Sequence, residues 1–132
     1  MEKRALNPTT WLVNAFNVNE AIEVTGGQRV LYVSGQTSTD DQGAPTNPGD
    51  IAAQFNQAWA NLNAVLAAAG MSSANIVRLN FYTTDVDAFM AAAGNIVPVF
   101  ASAGCTPVST LLGVTKLFDP AIMLEIEATA VA

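Results

Sequence analysis

Two glutamates near the end of the sequence, Glu125 and Glu127, stand two positions apart in a run that alternates with apolar residues. Side chains at i and i+2 of a β-strand lie on one face, about 6.5–7 Å apart. The run therefore predicts a strand with both carboxylates on one face and Leu124, Ile126 and Ala128 pointing into a core. A carboxylate that faces a partner surface in this way can transfer a proton or position a water molecule.

Few other residue types can supply catalysis in this chain. It has no His and a single Cys, which excludes zinc sites built on these ligands and His-dependent triads. Cys105 follows Gly104 in a predicted loop and has no basic neighbour, so we expect a structural thiol rather than a nucleophile. Acid–base chemistry is left to carboxylates, hydroxyls, lysines, backbone groups or bound water.

Length and composition indicate one compact domain over residues 1–132. Only 12% of the residues are charged, fewer than the roughly 25% of typical soluble domains, so we expect apolar surface to be buried between subunits. The net charge of −6 repels phosphate backbones, which argues against nucleic-acid binding. No signal-peptide-like segment, internal disulfide or membrane-spanning apolar run is expected, which favours a cytoplasmic location.

Residue spacing predicts seven elements in the order β-β-α-β-α-β-β. They are strands over residues 21–25 and 29–35, a helix over 51–69, a strand over 76–84, a helix from residue 86 to before residue 104, and strands over 109–115 and 122–131. The first two strands are predicted to form a hairpin through the turn Gly26-Gly27-Gln28. Residues 38–50 are rich in Asp, Gly, Pro and Thr and predict a loop.

Cap and breaker residues mark the ends of the two predicted helices. Asp50 and Asp85 are predicted N-caps, and Gly70 is predicted to end the first helix. Pro98 is expected to kink or break the second helix, because proline lacks the backbone N–H that a helix interior needs.

Two helices among five strands imply an α/β fold of the α+β type, a two-layer sandwich with both helices on one face of the sheet. Phe55 and Trp59 lie on the apolar stripe of the first helix, so we assign them to the core rather than to ligand stacking. The other face of the sheet carries polar residues that suit a partly wet interface between subunits. These residues are Ser34, Asn80, Tyr82 and Thr115.

Several short motifs recur in a characteristic order along the chain. They are Leu31-Tyr32-Val33-Ser34-Gly35-Gln36, Asn61-Leu62, Ala68-Ala69-Gly70, Asn75-Ile76-Val77-Arg78 and Leu124-Glu125-Ile126-Glu127-Ala128. Together they resemble the YjgF/RidA family, over roughly residues 20–131. The resemblance implies a chorismate-mutase-like fold and a homotrimer with a central barrel and clefts between its subunits. It also implies hydrolysis of reactive enamines and imines, such as 2-aminoacrylate, to ketoacids and ammonia without a metal or organic cofactor.

One motif of that family is altered in this chain. The family reads Pro-Ala-Arg-x-Cys, in which the Arg clamps the substrate carboxylate through two charge-assisted hydrogen bonds. The matching stretch reads Pro107-Val108-Ser109-Thr110-Leu111, so Ser109 stands in the place of the Arg and Leu111 in the place of the Cys. Arg78 or Lys116 can replace the missing Arg only if the fold aims it into the cleft.

The resemblance assigns the remaining site residues. Glu125 matches the cleft glutamate that positions water or passes a proton, and the Ser34-Gly35 step matches a neighbouring wall. The candidate substrate contacts are Ser34, Gly35, Ser109, Thr110 and Leu111. Each assignment competes with a structural alternative: a solvated interface carboxylate, an ordinary strand end, or a polar sheet face. Glu127 is expected to be an interface or surface residue.

Two functions from different classes follow. The first is a trimeric cleft enzyme that hydrolyses an imine, enamine or related small-molecule substrate lacking the usual carboxylate, with Glu125 handling water. The second is a non-catalytic homotrimer that keeps the scaffold and binds a small ligand or a partner protein. RNA cleavage, which the labels of some relatives suggest, conflicts with the acidic charge and the absence of His.

Overall fold

The computed structural model describes residues 1–132 of the chain. In chain order the elements are β1 (Glu2–Leu6), α1 (Trp11–Phe16), β2 (Ala21–Thr25), β3 (Val30–Thr37), α2 (Ile51–Ala68), a 3-10 helix (Ser73–Asn75), β4 (Ile76–Thr83), α3 (Val86–Ser102), β5 (Leu111–Gly113) and β6 (Leu124–Val131). None of the helices combines the length and the apolar character that a membrane crossing requires.

A four-stranded sheet in the order β3-β6-β4-β5 forms one layer of the molecule. β6 runs antiparallel to both β3 and β4, and β4 runs parallel to β5. The buried residues of β4 and β6 alternate along each strand and join those of α2 and α3 in one core. Both long helices therefore cover one face of the sheet, which confirms the predicted two-layer sandwich.

The core between the two layers is centred on Phe55 of α2. Its ring stacks on Trp59 at 5.8 Å and on Phe81 of β4 at 6.1 Å between ring centroids. Phe81 also contacts Phe89 and Phe100 of α3, at 5.3 Å and 6.1 Å. Aromatic packing thus holds both helices against β4. The assignment of Phe55 and Trp59 to the core is confirmed.

The predicted helix caps are present. The Asp50 carboxylate accepts a hydrogen bond from the Ala53 N–H at 3.0 Å, and the Asp85 carboxylate accepts one from the Ala88 N–H at 2.9 Å. Gly70 adopts a φ of +69°, a left-handed conformation that favours glycine after a helix. These local interactions explain why the beginnings of α2 and α3 follow directly from the sequence.

The predicted end of α3 before Gly104 is confirmed, since the helix continues to Ser102, and Pro98 does not break it. Proline removes the N–H that would bond to the carbonyl of Gly94, one turn earlier. Both Pro98 and Gly94 are exposed, so water can satisfy that carbonyl. The helix therefore tolerates the proline on its solvent side.

The predicted hairpin of the first two strands is also wrong. β2 pairs with β1 in a separate two-stranded ribbon, and β3 joins the main sheet beside β6. β1 was not predicted because its residues are all exposed and carry no apolar period. A Cβ on Gly27 would lie 2.5 Å from Cγ1 of Val131, so this glycine permits a close crossing over the end of β6 rather than a hairpin turn.

Two strands begin two residues later than predicted. β5 covers Leu111–Gly113 instead of residues 109–115, and β6 covers Leu124–Val131 instead of residues 122–131. β5 lies at the sheet edge and pairs with β4 alone, so fewer of its backbone N–H and C=O groups form hydrogen bonds within the sheet. Thr115, predicted to lie on the polar sheet face, comes after the end of β5 and is not part of the sheet.

Candidate active site

A β-bulge in β3 places Gly35 directly against the side chain of Glu125. Ser34 and Gly35 together lie opposite the single residue Glu127 of β6, which makes the extra residue of the bulge. A Cβ built on Gly35 would lie 1.8 Å from Oε1 of Glu125 and 2.6 Å from its Cδ. Only glycine leaves room for the carboxylate at this place, so the structure brings Gly35 and Glu125 together.

The second carboxylate of β6 is held by two side chains of β4. Tyr82 donates its hydroxyl hydrogen to Oε1 of Glu127, and Nδ2 of Asn80 donates to the same oxygen at 3.4 Å. Asn80 lies opposite Glu127 in the strand pairing, and Tyr82 lies opposite Glu125. The chain supplies no such donor to Glu125. Of the two carboxylates, Glu125 is therefore the one free to bind water or substrate.

The surroundings of Glu125 and Tyr82 raise the pKa of both groups. Partial burial raises the pKa of Glu125, and the nearby charge of Glu127 raises it further. The hydrogen bond to Glu127 is the main cause that raises the pKa of the Tyr82 phenol. A carboxylate with a raised pKa is a better proton carrier near neutral pH than an ordinary one.

Strand geometry separates the residues of the stretch from Pro107 to Leu111. Leu111 lies opposite the buried Phe81 in the parallel pairing of β5 and β4, so Leu111 and Ser109 both point to the helix face of the sheet. Thr110 points to the open face, where its backbone N–H donates to Oδ1 of Asn80 at 3.1 Å. Within one subunit, Thr110 thus shares the face of Glu125, whereas Ser109 and Leu111 do not.

A pocket on the helix face collects Ser109 and Leu111. Its volume is about 160 Å³, and α1 supplies part of its wall through Leu12 and Phe16. α1 was not predicted, although the four-residue spacing of Leu12 and Phe16 is typical of one helix face. Its six residues are too few to form a secure periodic pattern.

Neither Arg78 nor Lys116, the two cations considered from the sequence, reaches this pocket. Arg78 is exposed on the open face of β4, opposite Thr129 of β6. Lys116 is exposed after the end of β5. The lining of the pocket therefore contains no cation.

Cys105 and the acidic residues form no further reactive centre. Burial raises the pKa of the Cys105 thiol to about 12, so almost no thiolate is present at neutral pH. No cluster of three or more metal-ligating His, Cys, Asp or Glu side chains occurs in the chain. Glu125 therefore remains the candidate for acid–base chemistry at this site.

Comparison with known proteins identifies the family. The family model described as endoribonuclease L-PSP matches residues 5–132. A 2-iminobutanoate/2-iminopropanoate deaminase from Rattus norvegicus is 36% identical over 61 residues, which are 46% of this chain and 44% of the rat protein. The chain spans about half the length of the curated relatives that it matches.

Solved structures share the fold over most or all of the chain. The Rid-family protein YyfB from Yersinia pestis is 32% identical, covers 100% of both chains and superposes with a TM-score of 0.87. TdcF from E. coli with bound serine is 28% identical, with 83% of this chain and 84% of that chain covered and a TM-score of 0.69. With a family model that covers nearly the whole chain and a Rid-family structure that matches it end to end, the protein belongs to the endoribonuclease L-PSP family, the YjgF/RidA family.

Proposed function

We propose that this protein hydrolyses a reactive imine or enamine, or a related small molecule, in clefts between the subunits of a homotrimer. The placement of Glu125 carries the proposal, because its carboxylate lies against Gly35 and receives no hydrogen bond from the chain. Two relatives add support: the rat protein is named an imino-acid deaminase, and the TdcF structure holds serine.

The reaction needs a group that can move protons to and from water. In the first step Glu125 takes a proton from water while the water oxygen bonds to the imine carbon, and the C=N electron pair moves to the nitrogen, which receives that proton. In the second step the same carboxylate carries the hydroxyl proton of the carbinolamine to the nitrogen. The C–N bond then breaks, and ammonia and a carbonyl product leave. A raised pKa of Glu125 suits both transfers.

A second subunit is needed to complete such a site. Glu125 lies on the open face of the sheet, whereas Ser109 and Leu111 line the pocket on the helix face. The open face also presents apolar surface, since Tyr32 is 81% exposed and Val30 is 51% exposed. Contact between this face and a neighbouring subunit would bury these side chains and bring Glu125 beside the pocket of the neighbour.

Replacement of the family's Arg by Ser109 points to a substrate without the usual carboxylate. A site built to bind a charged group discriminates strongly through that contact, whereas water addition depends on other groups. Loss of the guanidinium therefore changes which substrate binds and leaves the role of Glu125 intact.

Ammonia release tests the proposal. The purified protein is incubated with freshly generated 2-aminoacrylate and with a panel of carboxylate-free imines. We expect the protein to accelerate ammonia release from the carboxylate-free imines. Glu125→Gln should lower this rate by about 100-fold or more. Glu2→Gln, a change at an exposed glutamate of β1, is the matched control and keeps full activity. Rates equal to buffer for both substrate classes would contradict the proposal.

A homotrimer that binds a small ligand or partner protein without catalysis is the second candidate. The loss of the substrate-anchoring Arg at Ser109 favours it. A metabolite retained in native mass spectrometry, together with no turnover on the imine panel, would select this candidate. The name of the family model mentions an endoribonuclease, but a net charge of −6 and the absence of His do not favour RNA cleavage by this chain.

A further inference from the structure

The pocket that holds Ser109 and Leu111 is hydrophobic from its mouth to its floor. Nine of its ten lining residues are hydrophobic. Phe81 and Phe100 belong to the core and form the floor, while Met90 of α3 is 46% exposed and stands at the mouth. The pocket therefore leads from the surface into the aromatic part of the core.

The pocket has no partner for a charged group. Its one polar side chain, Ser109, already donates its hydroxyl hydrogen to the backbone carbonyl of Leu79. None of the five Lys and Arg residues of the chain lines it. A carboxylate placed here would lose its hydration without gaining an opposite charge, which is strongly unfavourable.

The volume of the pocket limits the size of its occupant. An engineered apolar cavity of about 150 Å³ in another protein binds benzene, and the volume here is about 160 Å³. We infer that this pocket binds the hydrocarbon part of a small neutral molecule, aliphatic or aromatic, with about six carbon atoms. The identification of this pocket as a substrate pocket rests on the proposed function. In that case the substrate is a neutral imine whose hydrocarbon group enters the pocket while its C=N group contacts Glu125 of a neighbouring subunit.

Binding of two carbonyl compounds tests the inference without any turnover. Cyclohexanone is the neutral probe and 2-oxobutanoate is the anionic probe, and titration calorimetry or ligand-observed NMR measures the affinity of the full-length protein for each. We expect cyclohexanone to bind about tenfold or more tightly than 2-oxobutanoate, because only the neutral probe enters the pocket without loss of charge hydration.

Two tryptophan substitutions on α3 locate the binding site. Met90→Trp blocks the mouth of the pocket from an exposed position and should weaken cyclohexanone binding about tenfold or more. Asn95→Trp adds the same side chain at an exposed position of α3 outside the pocket and should leave the affinity unchanged within about twofold. Cyclohexanone binding that survives Met90→Trp, or equal binding of the two probes, overturns the inference.

The same measurements separate this inference from the proposed function. Cyclohexanone binding that persists in Glu125→Gln, together with loss of imine hydrolysis, supports both. Imine hydrolysis without cyclohexanone binding overturns only the inference, and this result is also expected if a side chain of a neighbouring subunit fills the pocket. Cyclohexanone binding without turnover on any imine overturns the proposed function and leaves the pocket assignment standing.

Discussion

The carboxylate of Glu125 occupies the space that any side chain at position 35 would need, since its Oε1 lies 1.8 Å from the Cβ position of Gly35. The φ of Gly35 is not in the left-handed region, so the requirement for glycine is one of space and not of backbone conformation. The bulge in β3 thus determines the side from which a ligand can reach the Glu125 carboxylate.

Gly35→Ala should therefore displace the Glu125 carboxylate. We expect a decrease of about 100-fold in kcat/KM, because a shift of about 1 Å in a reacting group can have this effect. The free energy of unfolding should fall by only about 1 kcal/mol, since the flexible end of Glu125 can move aside. Steady-state kinetics and urea denaturation measure the two quantities.

A double-mutant cycle provides the control for this prediction. In the Glu125→Ala background the clash with a Cβ at position 35 is gone, so Gly35→Ala should no longer destabilise the protein. Equal destabilisation in both backgrounds would show that the bulge itself, and not contact with Glu125, demands glycine.

The raised pKa of Glu125 predicts a pH dependence of stability. Between the ordinary pKa and the raised one, the folded state keeps a proton that the unfolded state has released, so the free energy of unfolding decreases as pH rises through this window. Glu125→Gln should abolish this decrease. Glu127→Gln should reduce it in part, since burial is the larger cause of the shift. Urea denaturation from about pH 4 to about pH 8 measures the effect, and the absence of His removes the commonest competing titration.

Ser109→Arg should move substrate preference toward carboxylate-bearing imines. A hydrogen bond to a charged group contributes about 1.5–3 kcal/mol, so we expect kcat/KM for 2-aminoacrylate to rise roughly 10- to 100-fold. Ser109→Ala is the control: it removes the hydroxyl that bonds to Leu79 and adds no charge, and it should not raise this rate. An equal gain in both variants would disprove the role of the cation.

Gln54 on α2 is predicted to hold the chain that leads into β6. It is fully buried, its Nε2 donates to the carbonyl of Ala121 at 2.8 Å, and its Oε1 accepts from the N–H of Met123 at 2.8 Å. Gln54→Leu leaves these backbone groups unpaired and should lower the free energy of unfolding by roughly 2–5 kcal/mol. Gln57→Leu, which breaks one bond to the Asn61 side chain, should cost less than about 1 kcal/mol. Similar losses in both variants would argue against this role.

Tyr32 is predicted to lie at the interface of the proposed homotrimer. It pairs with Thr129 on the open sheet face, and a lysine at this place would bury a charge between subunits. Tyr32→Lys should shift the protein from trimer to monomer in light scattering, whereas Asn95→Lys on the exposed side of α3 should not. A wild-type protein that stays monomeric at every concentration would refute the assembly.

Local patterns predicted the elements whose determinants lie within a few residues of one another. α2 and α3 follow from apolar spacing and the Asp50 and Asp85 caps, and the two faces of β6 follow from strict alternation. The pairing of β3 could not be predicted in this way. The glycines before β3 favoured a hairpin between β2 and β3. In the structure, β3 pairs instead with an edge of β6, a strand that lies far away along the chain.

The amino-acid sequence by itself determined the family, the buried faces of the long helices and the placement of Glu125 opposite the core, because side-chain periodicity and motif order are readable along the chain. Only the tertiary structure decided that Gly35 lies against Glu125 and that Ser109 and Leu111 face a pocket walled by α1. These contacts join residues that are far apart in sequence, and strand register and helix docking set them rather than any local pattern.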